Sequence, residues 1–234
     1  MREVSLKGAP LFAGFMFQAM GVHGPELTPL AHVLLNTLMV GAAFVFLFSG
    51  RRSHRLTLAA LATLVLSVAA LRVMMQPFPN VQPVTVAALL VGAHFGARRG
   101  AAFAVLVALL SNMLIGDGWW TLFQAAGWAS AAVLGSRFLA ADAETLDMKR
   151  LCCVAVISAF LFGFISTLSL IDGSFSASGF ALFLLHGLPF DAVHALGNLV
   201  FAVWFGPSLH GFLRGLTTVA DDVQHVGDVH VVHG

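Results

Sequence analysis

Charge is what this chain has least of. Only 10% of its 234 residues are Asp, Glu, Lys or Arg, against about 25% in an average soluble domain. That is too little to cover a globule in water. The formal net charge is +1, so nothing electrostatic argues for nucleic acid, and no such partner is expected. Tyrosine is absent, while Phe (21) and Trp (4) supply the aromatic content. The 2 cysteines, Cys152 and Cys153, are adjacent and cannot bridge the fold. They read as small apolar residues at the start of a span, with juxtamembrane acylation as the alternative.

Apolar residues fill the space left by charge: 59% of the chain is hydrophobic and the mean hydropathy is +0.90. An all-α integral membrane protein is expected. A span needs about 20 mostly apolar residues. Candidates lie at 28–49, 55–75, 101–116, 119–138, 151–171 and 189–206, with a shorter one at 83–97. The stretch 9–22 is apolar but short; it reads as a short first span, an interfacial helix or a signal-like segment, without a convincing cleavage site.

The basic residues order these spans. Arg51, Arg52, Arg55, Arg98, Arg99, Arg137, Lys149, Arg150 and Arg214 all fall on one side if every span from 55 onward crosses. The loops expected opposite, 76–82, 117–118 and 172–188, contain no Lys or Arg. The positive-inside rule makes the basic side cytoplasmic. Three regions result: an extension 1–50 with the span 28–49 and the short 9–22 segment, a six-span unit at 51–216, and a polar tail at 217–234 expected to be disordered and cytoplasmic. His225, His230, His233, Asp221, Asp222 and Asp228 in the tail fit no metal-site spacing, and no metal or cofactor is expected. Small residues recur every four positions at Ala88–Gly92–Gly96, Gly100–Ala104–Ala108 and Gly127–Ala131–Gly135. Such faces let helices approach closely in lipid. With no internal repeat visible, an inverted-repeat transporter is disfavoured.

Polar side chains inside spans are costly and need a reason. At 1.5 Å per residue, Arg72, Asn80, Gln82, Asn112, Trp119, Trp120, Gln124, Asp191, His194 and Asn198 map to the outer half. The inner half is nearly all apolar apart from His94. Asp191, His194 and Asn198 follow i, i+3, i+7 spacing on one helix face, with Pro189 placed in that helix's first turn. Trp120, Gln124 and Trp128 share another face. The pattern is a polar bowl open to one side; a channel would need polar lining throughout. Each residue also has a structural explanation: Asp191 as a dipole partner, Trp119 and Trp120 as an aromatic belt, the amides as interhelical glue, His194 as a core histidine, and Arg72 snorkelling outward. The stretch PFPNVQPVT at 77–85 reads as a stiff lid at the rim, with Phe78 a cover and Asn80 and Gln82 ligand contacts, or else as a plain connector.

The run PFPNVQPVTVAALLVGAHFGARRGAAFAVLVALLSNMLIGDGWWTLFQAAGW, with the later GLPFDAVHALGNLVFAVWFGP, resembles the substrate-binding S components of energy-coupling factor (ECF) vitamin transporters over roughly 55–214. The resemblance implies a six-helix bundle, here with at least one extra N-terminal transmembrane helix, in a bacterial or archaeal cytoplasmic membrane. It implies capture of a vitamin or vitamin precursor, cobalamin-related in the branch with these loops. Phe78, Asn80, Gln82, Asn112, Trp120, Gln124, Trp128, Asp191, His194 and Asn198 would bind it. Release inward would need a membrane scaffold subunit and two ATPase subunits, the chain itself being non-catalytic. Many members dock through an Ala-x-x-x-Ala pair on the first helix. The span 55–75 lacks it, and Ala59, Thr63 and Ser67 form the nearest equivalent. The competing expectations are a membrane-embedded enzyme using Asp191 and His194, and a non-transporting scaffold or receptor. The enzyme reading lacks a nucleophile elbow, a His-Glu-x-x-His motif and paired carboxylates at a shared depth.

Overall fold

A computed structural model describes residues 16–21, 24–48, 55–140, 144–171 and 176–218. A small antiparallel hairpin comes first, β1 (Phe17–Gly21) paired with β2 (Gly24–Leu27). Then follow α1 (Pro29–Phe48), α2 (Arg55–Met74), α3 (Val84–Ile115), α4 (Trp119–Phe138) and α5 (Met148–Thr167). A 3-10 turn (Leu168–Leu170) leads on to α6 (Ala177–Trp204) and a last helix, α7 (206–218). α1, α2, α3, α5 and α6 are long and apolar enough to cross a bilayer. Apart from the hairpin this is an all-α, multi-pass membrane protein.

The expected spans at 28–49, 55–75, 119–138 and 151–171 lie on α1, α2, α4 and α5. Those at 83–97 and 101–116 are the two arms of α3. Gly96 breaks its helical backbone with φ +83° and ψ 163°, a region that side chains with a Cβ rarely adopt. The chain turns back on itself there. A methyl built on Gly100 would lie 2.7 Å from the Gly92 Cα, an approach that no straight helix allows across eight residues. Gln82 and Asn112, which flank and end the arms, also both bond Arg72. The first arm, 84–95, is only about 18 Å long at 1.5 Å per residue, well short of a hydrocarbon core of about 30 Å. The connector before it therefore dips into the bundle, where Pro83 is buried. Non-helical backbone at such depth is tolerated when protein covers it.

α4, which carries the expected span 119–138, is not among the helices long and apolar enough to cross a bilayer, and it is wedged against α3. A methyl at Gly92 would collide with the Ala132 carbonyl, and one at Gly135 with the Leu89 carbonyl. The small-residue faces thus bring backbones into contact, as the sequence led us to expect. The core is built mainly of α2, α3, α4 and α5, with Leu89, Leu90, Val91, Phe103 and Trp128 fully buried.

Three expectations are corrected. Pro189 is not in a first turn: α6 begins at Ala177, capped by Ser176 Oγ accepting from the Gly179 amide, and Pro189 lies inside it. The expected loop 172–188 is therefore helical from 177 onward, since a span in apolar surroundings tolerates an internal proline. Second, the part of the 9–22 segment that is described forms strand β1 rather than a helix; residues 9–15 lie outside the described residues. Third, Arg72 does not snorkel: it is 3% exposed. The tail from 219 onward, with its His and Asp residues, also lies outside the described residues, while 217–218 close α7.

Candidate functional site

Arg72 sits in the last turn of α2, at the end of the bundle that also carries the 75–83 connector and the 116–118 turn. Four side chains surround its guanidinium. Nε donates to Gln82 Oε1 at 3.0 Å. Nη1 donates to Ser111 Oγ at 2.5 Å and Asn112 Oδ1 at 2.6 Å. Nη2 donates to Gln124 Oε1 at 3.3 Å. Below, the Arg72 Cζ stands 4.9 Å from the centre of the Trp128 ring, a cation–π contact of about 0.5–2 kcal/mol. Each element contributes for a local reason. α2 ends in polar connector, α3's second arm brings Ser111 and Asn112 one residue apart, and α4 places Gln124 and Trp128 one turn apart on the same face.

A relay of hydrogen bonds leads from this cluster to the N-terminal extension. Asn112 Nδ2 donates to Gln124 Oε1 (2.9 Å) and Thr121 Oγ1 (2.8 Å). Thr121 Oγ1 donates to Asp117 Oδ1 at 2.6 Å. The other carboxylate oxygen, Oδ2, accepts from His32 Nε2 and Asn36 Nδ2, both 2.7 Å away and both on α1. Burial alone would raise the Asp117 pKa, but hydrogen bonds from Thr121, His32 and Asn36 and the charge of His32 outweigh it and hold the carboxyl below its ordinary value. The Asp117 carboxylate thus ties α1 to the turn between α3 and α4.

An aromatic column runs in another direction. Trp128 packs on Phe162 of α5 with centroids 4.8 Å apart, and Phe162 meets the His194 ring edge-on at 5.0 Å. His194 Nε2 lies 3.0 Å from Thr85 Oγ1 at the start of α3. The structure therefore brings Gln82, Asn112, Gln124 and Trp128 together on Arg72, and adds His194 through Phe162.

The remaining expected residues stand apart from the cluster. Asn80, held at φ +60°, donates from Nδ2 to the Phe190 carbonyl at 3.1 Å and so ties the connector to α6. Phe78 is 60% exposed. The Trp120 ring covers Gly118, where a methyl would strike it. Trp119 packs edge-on against Phe17 of β1 and Phe123. The Asp191 carboxylate presses on Gly163 of α5, and Asn198 Nδ2 donates to the Ala155 carbonyl at 3.1 Å. Among the described residues no hydrogen bond joins Asp191 to His194.

The sequence maps Arg72 to the polar bowl, with snorkelling as the structural alternative, but does not number it among the ligand contacts; a lone cation in an apolar span is the signal for it. Sequence reasoning missed Ser111, Thr85, Thr121, Phe162, Asp117, His32 and Asn36. Serine and threonine give little sequence signal in a span, because their hydroxyls can bond their own helix; Ser111 Oγ also donates to the Val107 carbonyl at 2.6 Å.

At the opposite end the lining is mostly apolar. His94 Nε2 lies 3.0 Å from His210 Nδ1 of α7. A groove of about 260 Å³ between α1, α2 and α3 is lined by leucines, Val65, Phe103 and Arg99. Ala59, Thr63 and Ser67 are exposed along α2.

No curated protein and no solved structure matches the chain. One family profile, described as a family of unknown function (DUF6580), matches residues 52–210. The chain belongs to the DUF6580 family.

Proposed function

We propose that the protein is a substrate-capturing membrane subunit of an ECF-type importer. It takes a vitamin or vitamin precursor, cobalamin-related compounds being the favoured class, at the polar end and passes it across the membrane. A scaffold subunit and two ATPase subunits would provide the energy. The observation that carries this reading is the buried cluster around Arg72, roofed by Gln82 from a proline-rich connector. Burying a guanidinium costs several kcal/mol even after relaxation. Neutral acceptors and one aromatic face hold it in place without making it better than an apolar side chain. Such a residue in a span is a functional site by default. Its location beneath a connector that Asn80 and Gln82 pin down supports a gated binding site facing one side. The apolar opposite half argues against a continuous pore. The basic loops support placing that half, and the C-terminus, in the cytoplasm. The exposed Ala59, Thr63 and Ser67 face of α2 is the proposed scaffold contact.

Purified full-length protein is tested by thermal stabilisation against a vitamin panel that includes cobalamin and its fragments. At least one member should raise the melting temperature. A panel without any shift, together with turnover of some substrate, would replace this reading with the enzymatic one. Ser67→Leu should spare that stabilisation and impair assembly with the scaffold subunit.

A further inference from the structure

We propose that the Arg72 site receives an anionic group of the ligand, a carboxylate or a phosphate. This rests on reading the cluster as the ligand site. Arg72 is 3% exposed, yet all four of its hydrogen-bond acceptors are neutral: two amides, another amide and a hydroxyl from Gln82, Asn112, Gln124 and Ser111. Among the described residues no carboxylate pairs with it. Asp117, which the relay reaches through Asn112 and Thr121, already receives His32 and Asn36. A buried cation held only by neutral dipoles, without a counter-charge, favours an incoming anion.

The hydrogen-bond geometry shows which edge is open to it. A guanidinium has five N–H donors, and four bonds are made here. Nη1 is fully committed, at 2.5 and 2.6 Å. The edge formed by Nε and Nη2 is held more loosely, by Gln82 at 3.0 Å and Gln124 at 3.3 Å, and one Nη2 hydrogen is left over. That edge is the planar fork that takes two oxygens of a carboxylate or phosphate side by side. Gln82 is the partner most easily exchanged, because it belongs to the connector rather than to a helix. Lifting the connector frees Nε, and the anion replaces an amide oxygen with a charged one.

A second observation points to a ligand independently. Among the described residues Trp128 Nε1 is buried without a hydrogen-bond partner, in a residue only 1% exposed whose ring already contacts Arg72. Buried indole N–H groups ordinarily find an acceptor. An anion seated beside Arg72 brings acceptor oxygens to the neighbourhood of this donor.

The experiment compares matched compounds on the purified full-length protein by thermal shift and calorimetry: nicotinate with nicotinamide, biotin with its amide, riboflavin with its monophosphate, and pyridoxine with its phosphate. The anionic member of at least one pair should bind roughly tenfold or more tightly than its neutral counterpart, the factor expected for a charge-assisted pair. Carboxylate pairs and phosphate pairs tell the two sources apart. Arg72→Gln, which keeps donors but removes the charge, should erase the preference, and Arg72→Lys should retain part of it. If Arg72→Gln does not fold, the wild-type comparison decides alone. If no anionic member outbinds its neutral counterpart, the proposal is overturned. A neutral vitamin that binds tightly would then leave the capture reading standing. An anion that binds but is never imported with scaffold and ATPases would have the opposite effect.

Discussion

Arg72 lies in the last turn of α2 and Gln82 ten residues on, in the connector beyond Pro77 and Pro79, yet Nε of one reaches Oε1 of the other at 3.0 Å. The helix end and the connector are latched to each other through a buried charge. A latch that is also a ligand contact couples opening to binding. Gln82→Leu removes the acceptor while keeping the bulk. It should cost about 1–3 kcal/mol, the range for a buried group left unpaired, and should speed ligand release. Thermal unfolding and ligand off-rates measure both. An unchanged off-rate with lowered stability would make the connector a structural strap only.

Trp128 separates packing from recognition. Its ring fills space between Arg72 and Phe162, while its Nε1 has no hydrogen-bond partner among the described residues. Trp128→Phe keeps an aromatic ring there and should cost less stability than truncation to Ala, yet lower ligand affinity. Trp128→Ala should cost about 3–5 kcal/mol. Equal affinity in wild type and Trp128→Phe would show that the indole N–H does not meet the ligand.

At Gly96 the reversal in α3 requires backbone freedom rather than space, since its φ is +83° and no atom crowds a methyl built there. Gly96→Ala should therefore destabilise by about 1–3 kcal/mol through strain at positive φ. Gly41 in α1 is also uncrowded but lies in regular helix, so Gly41→Ala should be neutral or stabilising by up to about 1 kcal/mol. Thermal melts of the two variants in the same detergent give the comparison. A neutral Gly96→Ala would mean that the turn is not held as described.

Asp117 makes stability depend on pH in a predictable direction. Its folded pKa lies below the ordinary carboxyl value of 3.8 because of Thr121, His32 and Asn36. A depressed pKa contributes stability that is present above the unfolded value and is lost as pH falls through the folded one. Melting temperature should fall as pH drops below about 4, and Asp117→Asn should flatten that fall while loosening α1. Limited proteolysis of the α1–α2 connection would report the loosening. A wild-type profile identical to that of Asp117→Asn would exclude the carboxylate as its origin.

Much of the architecture was legible because composition and spacing express it directly. Keeping the basic residues on one side calls for two separate segments at 83–97 and 101–116, and the break at Gly96 divides α3 between them. The four-residue spacing of small residues marks close helix contacts: Gly92 and Gly135 lie where α3 and α4 meet, and Gly127 lies against Phe162 of α5. Rotation about a helix axis is harder to read. Gln124 and Trp128 were placed on one face correctly, but nothing in the string tells that Arg72 turns inward to meet them, because one apolar face of α2 resembles another. Pro189 misled for a related reason: the proline rule concerns water-soluble helices, and the apolar residues 177–188 continue the helix through it. The role of Asp117 depends on α1, 80 or so residues away along the chain, a pairing that no local pattern encodes.

The central claim is that the Arg72 cluster holds a small molecule, and native mass spectrometry of the full-length protein released from detergent tests it most directly. Spectra recorded with the vitamin panel should show wild-type protein carrying one ligand mass, with that adduct lost or sharply reduced in a folded Arg72→Gln variant. A spectrum without any adduct from the whole panel, or one in which Arg72→Gln retains the ligand as fully as wild type, would contradict the account.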